Sequence, residues 1–422
     1  MDSLETHITS SIHTSLAYLL PKLLSHNALL YSNPNFYDII TQELLGIIQL
    51  QYKTFLSTID EHDVTSYVRT KVSELTTHLN NTNGIPLRSY DTTYPYTIKR
   101  QRSIIKHLQY LRNIKQPDQC TPEWYHMRNN LITASNAWKA LKTDSAMFSL
   151  LQEKVECDNK FFGDNKTLID QNKTIMEDTP LLWGKKYEPV SVLYYEYKYK
   201  TVVQEYGCLI HPKYDFLGAS PDGINYSTDS PVVGRMLEIK NIVNRVISGI
   251  PKQEYWIQMQ LQMEVCDLNE CDFLETRFKE LDSYEEYVER KNKNQDKLGL
   301  MLVFLKENDL HYEYCPFGLS FLEEDMWCDE KREEIAKTGM KWYKTIYWEL
   351  VECSCVLVLR NRQWFEAAVP LLSDFWSKVK YYRENQNEYE TLKTERTSKR
   401  TKKELPIVPP TDSLKCLLLD DD

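Results

Sequence analysis

Apolar residues recur at helical spacing through the first quarter of the chain. One stripe runs over residues 14–30, and a second over residues 37–52 carries Ile39, Ile40, Leu44, Leu45 and Ile48. The pattern predicts helices across residues 1–115, broken by a polar loop with Gly and Pro at residues 80–96. Short β-prone pieces follow at residues 202–203, 208–210 and 216–217, with a turn at His211-Pro-Lys-Tyr-Asp215. Strand-like runs return at residues 300–305 and 355–359, and a last helix is expected over residues 364–382. One segment gives conflicting signals. From Ile257 to Val265 apolar residues alternate strictly, which says strand, whereas its Gln, Met, Leu and Glu content favours helix.

Composition narrows the class. The 422 residues are 42% hydrophobic and 27% charged, as in a folded globular protein. Only 12 are Gly, and neither a GxGxxG nor a GxxxxGK[ST] run occurs, which argues against a glycine-loop nucleotide binder. The ten cysteines form no CxxC pair, so neither a zinc site nor a disulfide framework is indicated; free thiols in a reducing intracellular compartment are expected. No apolar stretch reaches the roughly 18–20 residues that span a bilayer, and no membrane association is expected. The N-terminus has no basic signal-peptide region.

The net charge of −10 runs against the basic footprint of a nucleic-acid protein, but phosphate responds to local field. From Lys99 to Lys115 there are six basic residues and no acidic one: Lys99, Arg100, Arg102, Lys106, Arg112 and Lys115. With Ile104, Leu108 and Leu111 at helical spacing, this is a basic amphipathic helix, open to reading as a solvated face or a phosphate contact. Residues 386–422 are polar and charged and read as a disordered tail, with a basic cluster at 393–403.

The chemistry concentrates in the middle. Gly218-Ala-Ser-Pro-Asp-Gly223 is followed, fifteen residues after Asp222, by Leu237-Glu-Ile-Lys240. Phosphodiester hydrolysis calls for a hard cation that polarises the phosphoryl oxygen and activates water. Magnesium takes carboxylate oxygens, and Asp222 and Glu238 supply two. On a strand Glu238 and Lys240 share a face, leaving Ile239 for the core. An ammonium at Lys240 then stands beside the metal to orient water or stabilise charge on phosphorus. Each piece alone is weak: Ser-Pro-Asp-Gly is also a good β-turn, and Glu-Ile-Lys also a common surface strand.

Four blocks in this order resemble the lambda-exonuclease/YqaJ-type viral recombinase nucleases of the PD-(D/E)XK superfamily, in wording most like members from large DNA viruses. They are Pro122-Glu-Trp124 through Arg128 to Ile132-Thr-Ala-Ser135; Trp183-Gly-Lys-Lys-Tyr-Glu188-Pro; Gly218–Gly223 with Leu237–Lys240; and Tyr255-Trp-Ile-Gln258-Met-Gln260-Leu-Gln262-Met with Cys271-Asp-Phe. The resemblance covers residues 116–275. It implies an α/β fold, a restriction-endonuclease-like core with a central mixed β-sheet flanked by helices, here preceded by an N-terminal helical region. It favours a helix for residues 257–265. The expected organisation is a helical region at 1–115, an exonuclease domain at 116–385 and the tail at 386–422.

The resemblance also assigns roles. Asp222 and Glu238 match metal ligands and Lys240 the catalytic lysine. Glu188 matches a further carboxylate, expected near the start of a helix over residues 184–197 with Pro189 in its first turn. Gln260 matches a glutamine close to the catalytic centre. Arg128, Ser135 and Ser220 match positions that hold a 5′-terminal phosphate, a task suited to a guanidinium and hydroxyls. Trp124 and Trp183 are expected to be core anchors.

The implied activity is Mg²⁺-dependent 5′→3′ digestion of linear double-stranded DNA, with Mn²⁺ as a substitute metal, in viral DNA recombination, repair or replication. Duplex DNA ends are the implied substrate, a single-strand annealing protein a candidate partner, and a homo-oligomer a candidate assembly. A viral chain of this kind would work in the host cytoplasm or nucleus. Two alternatives stand beside it: a structure-specific or non-specific endonuclease on the same core, and a nuclease-dead DNA-end-binding scaffold.

Overall fold

A computed structural model describes residues 2–56, 61–83, 86–91, 101–117, 121–156, 180–306 and 309–404. Its helices are α1 (Asp2–His26), α2 (Phe36–Gln51), α3 (Lys53–Leu56), α4 (Glu61–Asn83), α5 (Gln101–Asn113), α6 (Pro122–Asn129), α7 (Ala134–Ala140), α8 (Asp144–Val155), α9 (Pro180–Tyr199), α10 (Gln253–Cys266), α11 (Tyr284–Lys291), α12 (Phe321–Ala336), α13 (Arg362–Glu384) and α14 (Gln386–Glu404). The strands are β1 (Tyr90–Asp91), β2 (Ile132–Thr133), β3 (Val203–Gln204), β4 (Leu209–Ile210), β5 (Leu217–Ala219), β6 (Gly223–Asn225), β7 (Met236–Asn241), β8 (Glu270–Glu280), β9 (Leu298–Lys306), β10 (Asp309–Tyr314) and β11 (Lys341–Leu359).

Most strands form one mixed sheet in the order β10-β9-β11-β8-β7-β6-β3, with β1 added beside β11. Only the β7–β8 pair within it is parallel, Glu238 lying opposite Phe273 and Lys240 opposite Glu275. A smaller sheet runs β2-β5-β4, with β2 and β5 parallel. The fold is thus α/β, a mixed sheet flanked by helices, as the sequence implies.

β7 can sit mid-sheet because its first four residues are buried on both faces. Leu237 and Ile239 pack with Tyr195 of α9 and Leu274 of β8, while Glu238 and Lys240 point the other way. α10 explains the conflicting period. It is covered on all sides, so Gln260, Gln262 and Glu264 are buried along with Ile257, Met259, Leu261, Met263 and Val265. With no solvent face, a helix shows no 3.6-residue polarity. The N-terminal helices share this core: Leu16, Leu20, Ile40 and Leu44 belong to the same apolar cluster as Trp256 of α10 and Trp364 of α13.

Three expectations need correction. The loop at residues 80–96 is shorter at both ends, since α4 continues to Asn83 and Tyr90–Asp91 pairs with β11; residues 84–85 and 92–96 lie outside the described residues. The tail is not disordered throughout, because residues 386–404 form α14. Buried Tyr389 anchors that helix, donating to Glu156 at 2.7 Å, so one aromatic contact outweighs an otherwise charged composition. Residues 405–422 lie outside the described residues. Finally, α9 starts at Pro180, which places Pro189 in the helix interior instead of its first turn.

Candidate active site

Strand register brings the two carboxylates together. Gly223 pairs with Leu237 and Ile224 with Met236, so one step further Asp222 faces Glu238. Asp222 Oδ2 accepts the backbone N–H of Ile239 at 2.7 Å, which fixes its carboxyl against β7. Gly223 is required by close approach. A Cβ there would fall 2.1 Å from Val203 Cγ1 on β3, and its φ is not in the left-handed region.

Glu238 is fully buried. Its Oε1 accepts from the Lys240 ammonium, and its Oε2 accepts from Gln262 Nε2 at 2.7 Å. The Lys240 ammonium also lies 5.1 Å from the centre of the Tyr255 ring. Glu188 reaches the same cleft from the middle of α9. Asn241, at the end of β7, fastens α9 on both sides of it, donating to Gly184 O at 3.0 Å and accepting from Ser191 Oγ at 2.8 Å.

The electrostatics are those of crowded carboxylates around one cation. Burial pushes the Asp222 carboxyl well above the ordinary aspartate range; Glu238 and Glu188 add to this, while Lys240 and the Ile239 N–H oppose it. The Glu188 residue stays open to solvent, yet desolvation of its carboxyl within the cleft raises it in the same direction, with Lys240 opposing and Glu238 and Glu205 reinforcing. Burial alone would lower the Lys240 ammonium, yet Glu238 and Asp222 outweigh it and hold the pKa above the usual lysine value. Among the described residues no three Asp, Glu, His or Cys side chains close on one point. A hard cation does not require that. Magnesium is commonly held by one or two carboxylates plus water and phosphate. Asp222 and Glu238 fit such a donor set, and a divalent ion would offset both the burial and the carboxylate repulsion that raise Asp222.

A second register gathers the other candidates. Thr133 of β2 lies beside Gly218 of β5, and two residues past each comes a serine, Ser135 and Ser220. Ser135 Oγ is 3.3 Å from Thr133 Oγ1 at the start of α7. Ser220 Oγ is buried with no nitrogen or oxygen partner among the described residues. Beside it is the Cys208 thiol, raised by burial and drawn back down by Ser220, Arg128 and Lys154. Arg128 lies 4.4 Å over the Trp124 ring and makes no ion pair among the described residues. Gln262 links the two groups, since its Nε2 also donates to Ser220 O at 3.3 Å.

Other expected residues fall elsewhere. Gln260 is not at the centre: its Nε2 donates to Leu359 O at 3.0 Å and its Oε1 accepts from Asn361 N at 2.7 Å. The helix explains this. Residues advance about 100° each, so Gln260 and Gln262 diverge by about 200°, whereas Tyr255 and Gln262, seven apart, share a face. Trp124 and Trp183 are only half-buried, Trp183 packing against Tyr187. In the basic segment Lys99 and Arg100 lie outside the described residues. Lys106, Arg112 and Lys115 are exposed on and just after α5, whose Ile104 abuts Gly234, at the far end of the β6–β7 hairpin from Asp222.

Residues 123–269 match the family model for a YqaJ-like viral recombinase domain. Over this stretch, about a third of the chain, the sequence is similar to that family. The stretch contains Arg128, Ser135, Glu188, Ser220, Asp222, Glu238, Lys240, Gln260 and Gln262. The uncharacterized protein R354 of Acanthamoeba polyphaga mimivirus is 28% identical over 348 residues, covering 72% of this chain and 61% of that protein. The chain thus spans less than two thirds of that relative's length. Crystal structures of the alkaline exonuclease LHK-Exo from Laribacter hongkongensis and of LHK-Exo in complex with dAMP are similar at 18% and 17% identity. Each covers 64% of this chain and 98% of the other, with a TM-score of 0.38. Among the described residues no helix is long and apolar enough to cross a membrane.

Proposed function

We propose that this chain is a magnesium-dependent deoxyribonuclease that digests linear duplex DNA from its 5′ ends during viral DNA recombination or repair. The observation that carries the reading is the bridge made by Gln262. One amide joins Glu238, in the carboxylate cleft, to the Ser220 backbone, in the group with Arg128 and Ser135. A hydrolytic centre and an anion pocket are thereby held in fixed relation, which suits an enzyme that starts at an end.

In this reading Asp222 and Glu238 hold the metal, with Glu188 as a further carboxylate. When bound, the metal supplies Lewis-acid polarisation and activated water. Lys240, kept charged by its two neighbours, stabilises negative charge building on the phosphoryl oxygens. Arg128, stacked and without an ion pair among the described residues, presents its guanidinium to a terminal phosphate, with Ser220 and Ser135 hydroxyls completing the pocket. The 3′ single strands left behind would suit an annealing protein as partner.

The test uses linear duplexes with 5′-phosphate or 5′-hydroxyl ends and closed circles, with Mg²⁺, Mn²⁺ or EDTA. Metal-dependent loss of linear DNA, sparing of circles and abolition by Lys240→Ala are expected. Cutting of circles by the wild type would replace the exonuclease with an endonuclease. Binding of ends with no cutting under any metal would leave a scaffold.

A further inference from the structure

α6 ends at Asn129, and the last carbonyls of a helix lack partners within it. Here they meet two cations from distant parts of the chain. Lys154, buried at 3% exposure on α8, donates to Arg128 O at 3.0 Å. Arg383, near the end of α13, donates to Asn129 O at 2.8 Å and to the Asn130 side chain at 2.8 Å. The same guanidinium donates to Lys154 O at 2.7 Å, so it binds α6 and α8 together. Positive groups at a helix C-terminus are favoured by the helix dipole as well.

α14 completes the arrangement by lying along α8. Its Tyr389 and Lys393 both reach Glu156 at 2.7 Å, just past the end of α8. Its Arg396 donates to Asp144 O at 3.1 Å, at the beginning of α8. The backbone of Arg128 is therefore fixed by α8 and α13, while its side chain stacks on the Trp124 ring. The sequence resemblance does not extend to residues 383–404.

We infer that Arg383 and Lys154 are positioning residues for the terminal-phosphate pocket, and that the C-terminal helix pair thereby sets the preference for phosphorylated 5′ ends. The inference rests on the pocket reading given above. Neither residue touches the DNA. They hold the α6 terminus so that Arg128 meets the phosphate without reorganising, and misplacement lowers affinity for the end more than turnover.

The experiment measures kcat and KM for full-length protein on duplexes with 5′-phosphate and 5′-hydroxyl ends, for wild type, Arg383→Ala, Arg383→Lys and Lys154→Met, with thermal unfolding in parallel. In Arg383→Ala the ratio of kcat/KM between the two ends should fall about tenfold, through KM, with kcat at saturation within about twofold. Arg383→Lys, which can keep one bond to Asn129 O, should recover part of the ratio. Lys154→Met keeps the buried stem and should reproduce the loss even if Arg383→Ala does not fold. A ratio unchanged in folded Arg383→Ala or Lys154→Met overturns the inference and leaves the pocket standing. A wild type indifferent to the 5′-phosphate removes both.

Discussion

Gln262 donates to Glu238 at 2.7 Å, while Gln260, two residues earlier and on the opposite side of the helix, is tied by both ends of its amide to the backbone of Leu359 and Asn361. The two glutamines should fail in opposite ways. Gln262→Ala removes the group that orients a metal-binding carboxylate, and such losses typically cost about 10–100-fold in activity or metal affinity. Gln260→Ala leaves buried backbone groups unpaired at the start of α13, a stability cost of about 1–3 kcal/mol. Nuclease assays and urea unfolding on both variants separate the outcomes. Reduced kcat in folded Gln260→Ala, with a normal Gln262→Ala, would reverse the assignment.

Asp222 and Glu188 should differ in how strongly they govern the metal. Asp222 faces Glu238 across the β6–β7 pair and is fixed by Ile239 N–H, so Asp222→Asn should abolish cutting. Glu188 approaches from α9, opens to solvent and is expected to contribute less directly. Glu188→Gln should retain measurable cutting and raise the Mg²⁺ concentration for half-maximal rate by about tenfold, since magnesium keeps waters where a carboxylate is lost. A Mg²⁺ titration identical to wild type would remove Glu188 from the metal environment.

The sequence made much of this site legible because register follows from order. The short strand that follows Asp222, Gly223–Asn225, pairs as a hairpin with Met236–Asn241, and that pairing sets Asp222 against Glu238. What it could not reveal was which turn of α10 faces the carboxylates. A helix buried on every side carries no polar stripe to orient it, so nothing in the local pattern spoke against Gln260, the residue the resemblance matched, or for Gln262. α14 was hidden for a different reason. Apart from Tyr389 and Leu392 its residues are all polar or charged, and its attachment depends on contacts such as Tyr389 to Glu156, 233 residues away in sequence. Such long-range pairing leaves no local pattern.

Asp272 gives a pH dependence separate from the chemistry. It is buried on β8, accepts from Tyr195 OH at 2.6 Å and pairs with Arg235. Burial raises its carboxyl to about 6, against the help of Arg235 and Tyr195. The folded protein therefore holds this proton more tightly than the unfolded chain, whose value is near 3.8. The stabilisation from this group is complete below about pH 4 and is lost as pH rises to about 6, flattening above it. Urea unfolding at pH 4.5 and 7 should show the stability difference between wild type and Asp272→Asn shrinking by about 1–3 kcal/mol as pH rises. A difference that grows with pH would mean that Arg235 dominates and that the carboxyl is held low.

Gly223 links stability to catalysis through a steric contact. A methyl at this position would sit 2.1 Å from Val203 Cγ1, closer than packed carbons tolerate. β3 pairs with β6 next to this point, Val203 with Asn225 and Gln204 with Ile224, so neither strand can move alone. Gly223→Ala should cost about 1–3 kcal/mol, as overpacking in well-packed regions does. It should also lower kcat, because the strain falls on the residue beside Asp222 and on the bond from Ile239 N–H. Val203→Ala removes the clashing methyl and leaves a smaller defect of its own. In a double-mutant cycle the pair should be more stable and more active than Gly223→Ala alone, with a coupling energy of about 1 kcal/mol or more. Additive losses would show that the two positions do not meet, and that Gly223 is required by its turn instead of by β3.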